Sequence, residues 1–374
     1  MMRSKRSLSG GFALVLALIW ALGSLAAGAA SAPEGTPAGE GGAVQAISLD
    51  EAFAIAAEKS PKIRMAELEL EDSRLAYEQT RSTSLMRPDP IALLQAESSL
   101  EIARRNLDLV HNEVRLQVAE NFLGVLRVEN LMEVVRGSLA LAERQQAIAE
   151  SRFAVGSAAR VETIRAANQV NSVRANLLEM EGRRALALMA FRMGLGLPLD
   201  AAVVPDPSQL EPVSVAVNLE EDLAFALENR IEILRAKSGV EVARKQLELS
   251  TNDYTPAIAR ARVEVGLQRA EEGLRQALDG IELEIRQIYQ SLLDSERRLE
   301  VLEQSIEEAR ETLAITEEMY AAGVATDVEV LSAQTALTQS QTDYVNTLFD
   351  LRTAQVRYMY ATARAFAGGD GSGQ

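Results

Sequence analysis

The chain has 374 residues, 47% of them apolar but only 4% aromatic, and it carries a formal charge of −16 with no cysteine. That charge excludes a nucleic-acid-binding face, which must be basic, and the missing cysteine excludes disulfides, thiolate metal sites and an acyl-anchored N-terminal cysteine. Ala, Leu, Glu, Arg and Gln dominate, which is the composition of long helices; the acidity reads either as solvated helix faces or as an electronegative lumen that favours cations.

Arg3, Lys5 and Arg6 precede an apolar run from Phe12 to Leu25 and then small residues. This is the pattern of an export signal over residues 1–29, cleaved within Ala27-Gly-Ala29 in preference to Ala30-Ser-Ala32; an uncleaved anchor is the alternative. Residues 30–46 are rich in Pro, Gly and Ala and are expected to form a flexible lead-in. Beyond the signal no apolar segment is long enough to cross a bilayer as a helix.

A first helical repeat is expected over 47–200. Ser48-Leu-Asp-Glu51 is a helix start, with a hydroxyl N-cap and a carboxylate three residues on. Pro61 marks a kink or a joint, and Arg87-Pro-Asp-Pro90 breaks the helix that follows. From about Ile91 to Ala154 nothing interrupts the helical pattern, which amounts to roughly 90 Å of helix. Phe153-Ala-Val-Gly156-Ser157 then turns the chain, because glycine accepts the left-handed backbone that ends a helix. The return helix runs to about Phe191 and closes at Met193-Gly-Leu-Gly-Leu-Pro198. That Gly-x-Gly ends a helix instead of opening one after a strand, so it is not a dinucleotide loop.

A Pro-rich connector, 201–217, leads to a second repeat over 218–366 and a tail, 367–374, expected to be disordered. Asn218-Leu-Glu-Glu221 matches Ser48-Leu-Asp-Glu51 at a spacing of 170, and Tyr320-Ala-Ala-Gly323-Val324 matches the first turn at 167. Val161-Glu162 and Val328-Glu329 hold the same register. A heptad seam of Ile285, Leu292, Leu299, Ile306, Leu313 and Tyr320 precedes the second turn, beside a second seam through Ile281, Ile288, Ser295, Leu302, Ala309 and Thr316. The first copy offers Val118, Val125, Met132, Leu139, Gln146 and Phe153 for the first seam. A 3.5-residue repeat of this length means coiled-coil packing. The fold class is therefore all-α: two tandem repeats of long antiparallel helices forming coiled-coil hairpins, with little or no β-structure.

No catalytic constellation emerges. His111 is the only histidine and is read as a helix-surface residue, since nothing is available to complete a metal site with it. Neighbouring carboxylates such as Glu220-Glu221 do not face each other on a helix. No enzyme activity and no cofactor is expected.

The turns, with Val328-Glu-Val-Leu331-Ser-Ala333, Leu-Gly-Leu-Pro at 195–198 and the two helix starts, resemble the TolC-type outer-membrane efflux family over nearly the whole chain after the signal. The resemblance implies three protomers forming a tapering helical tunnel. It makes Phe153, Val155, Gly156, Ser157, Tyr320, Gly323 and Val324 the tips, which dock a periplasmic membrane-fusion adaptor joined to an inner-membrane transporter. Glu162 and Glu329, where the family usually carries Asp, would ring the narrow end. One departure stands out: the family's membrane β-hairpins have no room here. A membrane strand needs about 9–11 residues of alternating polarity. Only 258–267 alternates, and it reads equally as a strand remnant or as helix. The chain is thus expected to lack a membrane-spanning barrel and to reside in the periplasm or envelope, outer-membrane associated at most. The alternative reading is an exported coiled-coil scaffold or spacer with no conduit.

Overall fold

The structure, a computed structural model, describes residues 45–209, 217–252 and 254–363. The export signal, the lead-in as far as residue 44, residues 210–216 of the connector and the tail from residue 364 lie outside the described residues. What is described belongs to a unit that begins at Val44. It is almost wholly helical: β1 (Gln45–Ile47), α1 (Leu49–Lys59), α2 (Pro61–Met86), α3 (Pro90–Ala154), α4 (Arg160–Gly194), β2 (Val203–Pro205), α5 (Leu219–Asn229), α6 (Ile231–Ser250), α7 (Ala257–Ala321) and α8 (Asp327–Ala361).

The duplication is visible in element lengths. α3 and α7 each have 65 residues, α4 and α8 each have 35, and α1 and α5 each have 11. Only α2 and α6 differ, at 26 and 20 residues. The shorter link after α2 makes up half of that difference, and the remainder explains why the repeat spacing falls from 170 to 167. Pro61 is the first residue of α2, after Ser60 leaves the helical region, so it marks a joint. The stretch 258–267 lies inside α7 and is helix. Its alanines are the best helix formers, and Arg260 reaches Glu264 one turn on at 3.1 Å. Neither α2–α3 nor α6–α7 is joined by a strand among the described residues.

Two expectations shift. Asn218 does not cap α5 with its side chain; Asp222 accepts the Asn218 amide instead, at 3.2 Å. Ser48 and Glu51, by contrast, form the full reciprocal box. The lead-in also ends earlier than expected, because Gln45–Ile47 pairs in parallel with Val203–Pro205 of the connector. That short sheet ties the start of the first repeat to its end.

α3 is the hub, packing against α1, α2, α4, α6 and α8. The main core joins Val118, Phe122, Val125 and Leu126 of α3 to Phe191 of α4 and to Leu292, Leu299, Leu348 and Phe349 of the second repeat. Phe122 and Phe191 meet edge-on, with ring centroids 5.9 Å apart. Across the repeats Arg127 donates to Asn346 and Asp350, and Arg357 to Glu120. Exposed i,i+3 and i,i+4 pairs such as Arg286–Glu282 lace the outer faces; each is worth only about 0.3–0.5 kcal/mol.

The second repeat keeps its first heptad seam: Ile285, Leu292, Leu299, Leu313 and Tyr320 are all buried. The first repeat does not. Val118, Val125 and Met132 are buried, but the buried line then moves to Ala142 and Ala149, a three-residue slip in phase. Ala142 packs with Val170 and Val173 of α4. Phe153, in phase with the older line, is carried to the surface.

Candidate functional site

Each tip is closed by backbone hydrogen bonds that demand a left-handed residue. Gly156 donates to the Phe153 carbonyl and Ser157 to that of Arg152; Gly323 donates to Tyr320 and Val324 to Met319. This is a Schellman closure, and the φ values of +75° at Gly156 and +78° at Gly323 are what it requires. A Cβ at either glycine would meet nothing within 4 Å. The tips are therefore open on their outer sides.

The predicted residues separate into two groups. Phe153, Val155 and Val324 are exposed, Val155 and Val324 by more than 70%, and Val161 and Val328, just past the turns, are exposed too. Gly156, Ser157 and Gly323 are exposed turn residues. Tyr320, the repeat-mate of Phe153, is instead buried. It packs with Leu313, Val330, Ala333 and Leu337 of its own hairpin, and Arg152 of the other lays its guanidinium 4.0 Å from the centre of the ring. The same group donates to the carbonyls of Tyr320 at 2.5 Å and Ala321 at 3.3 Å. A cation on the last carbonyls of a helix is favoured by the helix dipole, and the ring face adds to it. One tip thus holds the other.

Glu162 and Glu329 are engaged in capping. Glu162 accepts the Ala159 amide at 3.1 Å, and Glu329 forms a reciprocal box with Thr326. Hydrogen bonds from the Thr326 amide and then its hydroxyl hold the Glu329 carboxyl below its ordinary range. A depressed carboxyl stabilises above its unfolded value and stops doing so as pH falls through its folded value. Protection of the Thr326 amide, its exchange measured against the unstructured rate at the same pH, should therefore fall on acidification, and Glu329→Gln, which still offers an oxygen, should flatten that dependence. Equal pH responses in the two proteins would rule out the carboxylate as the cause.

Between the two hairpins, just behind the tips, lies a cavity of ≈ 270 Å³. α3 contributes Gln145 and Ala149, α4 contributes Glu162, Arg165 and Gln169, and the second hairpin contributes Tyr320, Asp327, Leu331 and Gln334. Arg165 pairs with Asp327 across it at 3.4 Å. The Nε2 atoms of Gln145 and Gln334 and the Tyr320 hydroxyl are buried without a partner among the described residues. Each such group costs about 1–3 kcal/mol while unpaired. Three of them around one polar cavity can be met by ordered water or by a partner that brings its own hydrogen-bonding groups.

Sequence reasoning had missed Arg152, Arg165, Gln145 and Gln334. A signal existed: their repeat-mates are Met319, Ser332, Thr312 and Ala167, so these are positions where the two copies have diverged. His111 is half-buried on α3. Among the described residues no group of three or more acidic or histidine side chains is placed to hold a metal ion.

The sequence profile described as outer membrane efflux protein matches residues 92–197 and 260–363, more than half of the chain and both of its long hairpins. The chain belongs to this family. Outer membrane efflux proteins are transport components, and membership makes the chain an exported, outer-membrane-associated protein. The alkaline protease secretion protein AprF of Pseudomonas aeruginosa is 23% identical over 294 residues, covering 66% of this chain and 61% of that protein. The chain thus spans about three fifths of the length of that relative. Two solved structures share the fold. The outer membrane protein VceC of Vibrio cholerae has a TM-score of 0.68 at 18% identity, over 85% of this chain and 96% of its own. A Pseudomonas aeruginosa membrane protein has 0.71 at 14%, over 86% and 92%. In this family member residues 258–267 are helix, and no described helix is long and apolar enough to cross a membrane.

Proposed function

We propose that the chain is one subunit of a helical efflux or secretion conduit, which docks through its hairpin tips on a periplasmic membrane-fusion adaptor joined to an inner-membrane transporter. The observation that carries this reading is the tip itself. Phe153, Val155 and Val324 are exposed at the two tips, and behind them exposed Val328 lines a cavity together with Gln145, Tyr320 and Gln334, whose buried amide and hydroxyl donors lack partners among the described residues. An apolar anchor beside unpaired polar groups is what a docking surface needs, since a partner can desolvate the one and satisfy the others. Hydrolytic or redox chemistry has no support in the tip residues, so the reading is non-enzymatic.

Assembly into a closed ring is supported by two further faces. Ile164, Leu178, Leu186, Met189 and Met193 of α4 are exposed and fall on one stripe at 3.6 residues per turn. Val265, Leu283, Val301, Ile315 and Met319 of α7 do the same, away from that helix's buried seam. Two different apolar stripes on one chain suit a head-to-tail interface, which closes into a ring when the rotation allows. The family resemblance puts the number of copies at three.

The competing reading, a coiled-coil scaffold without a conduit, needs only hairpin ends that turn and stay soluble. It leaves the exposed valines and the unpaired donors without a purpose. Hollow rings seen end-on in negative stain support the conduit, and solid rods support the scaffold. Docking is tested by titrating the cognate adaptor with Val155→Asp/Val324→Asp protein. Binding should weaken at least tenfold, about 1.4 kcal/mol, and Gly156→Leu should weaken it in the same direction. Unchanged affinity in both would defeat tip docking.

A further inference from the structure

Among the described residues, the six most exposed large hydrophobic side chains are Tyr254, Met86, Leu85, Val155, Ile258 and Val324. Two belong to the tips. The other four lie at the opposite ends of the same long helices: Leu85 and Met86 close α2, Tyr254 sits between α6 and α7, and Ile258 opens α7. A hydrogen bond from Arg235 to Asn106, at 3.1 Å, registers α6 against α3. Each turn lies about fifteen residues further along, so both ends project roughly 22 Å beyond that bond on the same side.

These side chains are displayed, not left over. Asn252 Oδ1 accepts from the Tyr254 amide and the Thr255 hydroxyl, each at 3.0 Å. Asp89 Oδ1 accepts the amides of Ile91 and Ala92, at 3.1 and 3.0 Å. The turns satisfy these amides themselves and push their apolar groups outward. Around them stand Arg81, Arg87 and Arg262, all exposed and with no ion-pair partner among the described residues. In a chain of net charge −16, unpaired arginines beside exposed apolar groups mark a local reversal of sign.

We propose that this end is a membrane-surface contact, in which Leu85, Met86, Tyr254 and Ile258 settle among the headgroups and upper acyl chains of an anionic bilayer. Arg81, Arg87 and Arg262 pair with the lipid phosphates. A convex pair of turns fits a flat lipid surface better than a peptide, which would need a groove. A tyrosine beside aliphatic groups suits the interface, where one end of the ring is apolar and the other wet. Arginine near an anionic surface gains attraction that the rest of this acidic chain opposes. Turns whose amides are already bonded enter that layer at little cost. The contact is shallow, and an oligomer multiplies it.

The test uses the protein purified from the cell envelope and vesicles of phosphatidylethanolamine with phosphatidylglycerol. Met86→Trp should give emission, above the background of the unsubstituted protein, that shifts to the blue on adding vesicles and is quenched by brominated acyl chains. Leu85→Ser/Met86→Ser/Tyr254→Ser should co-sediment with these vesicles at least about fivefold less well, with helix content and oligomeric mass unchanged. Because a serine variant could disturb the turns, Arg87→Glu/Arg262→Glu is the second probe, expected to lose binding to the anionic vesicles only. An unshifted, unquenched Met86→Trp signal would overturn the proposal. So would a change in oligomeric mass in the serine variant, which would assign this end to contacts between copies.

Discussion

Gly196→Ala should destabilise the fold by about 2–4 kcal/mol, where Gly156→Ala costs about 1–2 kcal/mol. The two glycines share nearly the same left-handed backbone, with φ of +71° and +75°, so strain in the turn is common to both. They differ in what surrounds them. A Cβ at Gly156 points into open space, but at Gly196 it would lie 2.6 Å from the Lys59 carbonyl oxygen. Gly196 ends α4 where Leu195 is buried and the chain packs over the end of α1. The clash can be relieved only by moving two backbones apart. Urea unfolding of both variants at one fixed protein concentration separates the two contributions. Equal midpoints would mean that the close approach to Lys59 carries no energetic weight.

The second large effect is expected at Arg230, in the joint between α5 and α6. Its guanidinium reaches Glu232 at 2.6 Å, Glu284 of α7 at 2.9 Å and the Ala361 carbonyl at the end of α8 at 3.4 Å. One nearly buried side chain thus fastens the short helices of the second repeat to both of its long ones. Arg230→Met should cost about 2 kcal/mol, less than a fully buried pair would, because both carboxylates keep some contact with water. The pH dependence has a definite sign. Burial, the largest single influence, would raise the Glu232 carboxyl, yet the Arg230 hydrogen bond, a backbone amide and the charges of Arg230 and Arg235 together hold the group below its ordinary value. Its contribution is present above the unfolded carboxylate value and fades as pH falls through the folded one. In Arg230→Met burial is opposed only by the backbone bond and the Arg235 charge, so the carboxyl rises and the stability gap between parent and variant should narrow on acidification. A gap that stays constant across the carboxylate range would show that Arg230 acts through packing alone.

Legibility differed sharply between the two levels of the molecule. Ser48 with Glu51, Pro61, and the glycines at 156, 196 and 323 act through bonds within a few residues, so each could be read locally and behaves as expected in the structure. The seam from Ile285 to Tyr320 was legible because a helix repeats its geometry. The same logic misplaces Phe153, since a three-residue slip in α3 depends on what Val170 and Val173 of α4 offer Ala142. Alternation at 258–267 is ambiguous because alanines and charges spaced four apart also suit a helix, within which Arg260 meets Glu264.

The amino-acid order by itself determined the duplication, the helix limits and the left-handed turns, because propensity, capping and glycine geometry are settled within one or two turns of chain. Only the tertiary structure decided that Arg152 of one hairpin would close over Tyr320 of the other, and that Gln145 and Gln334 would face a common cavity. It also decided which pair of turns would hold the outermost apolar side chains. Those outcomes depend on groups more than a hundred residues apart coming within a few ångströms, and a repeat that reads almost identically twice carries no local record of where its copies would meet.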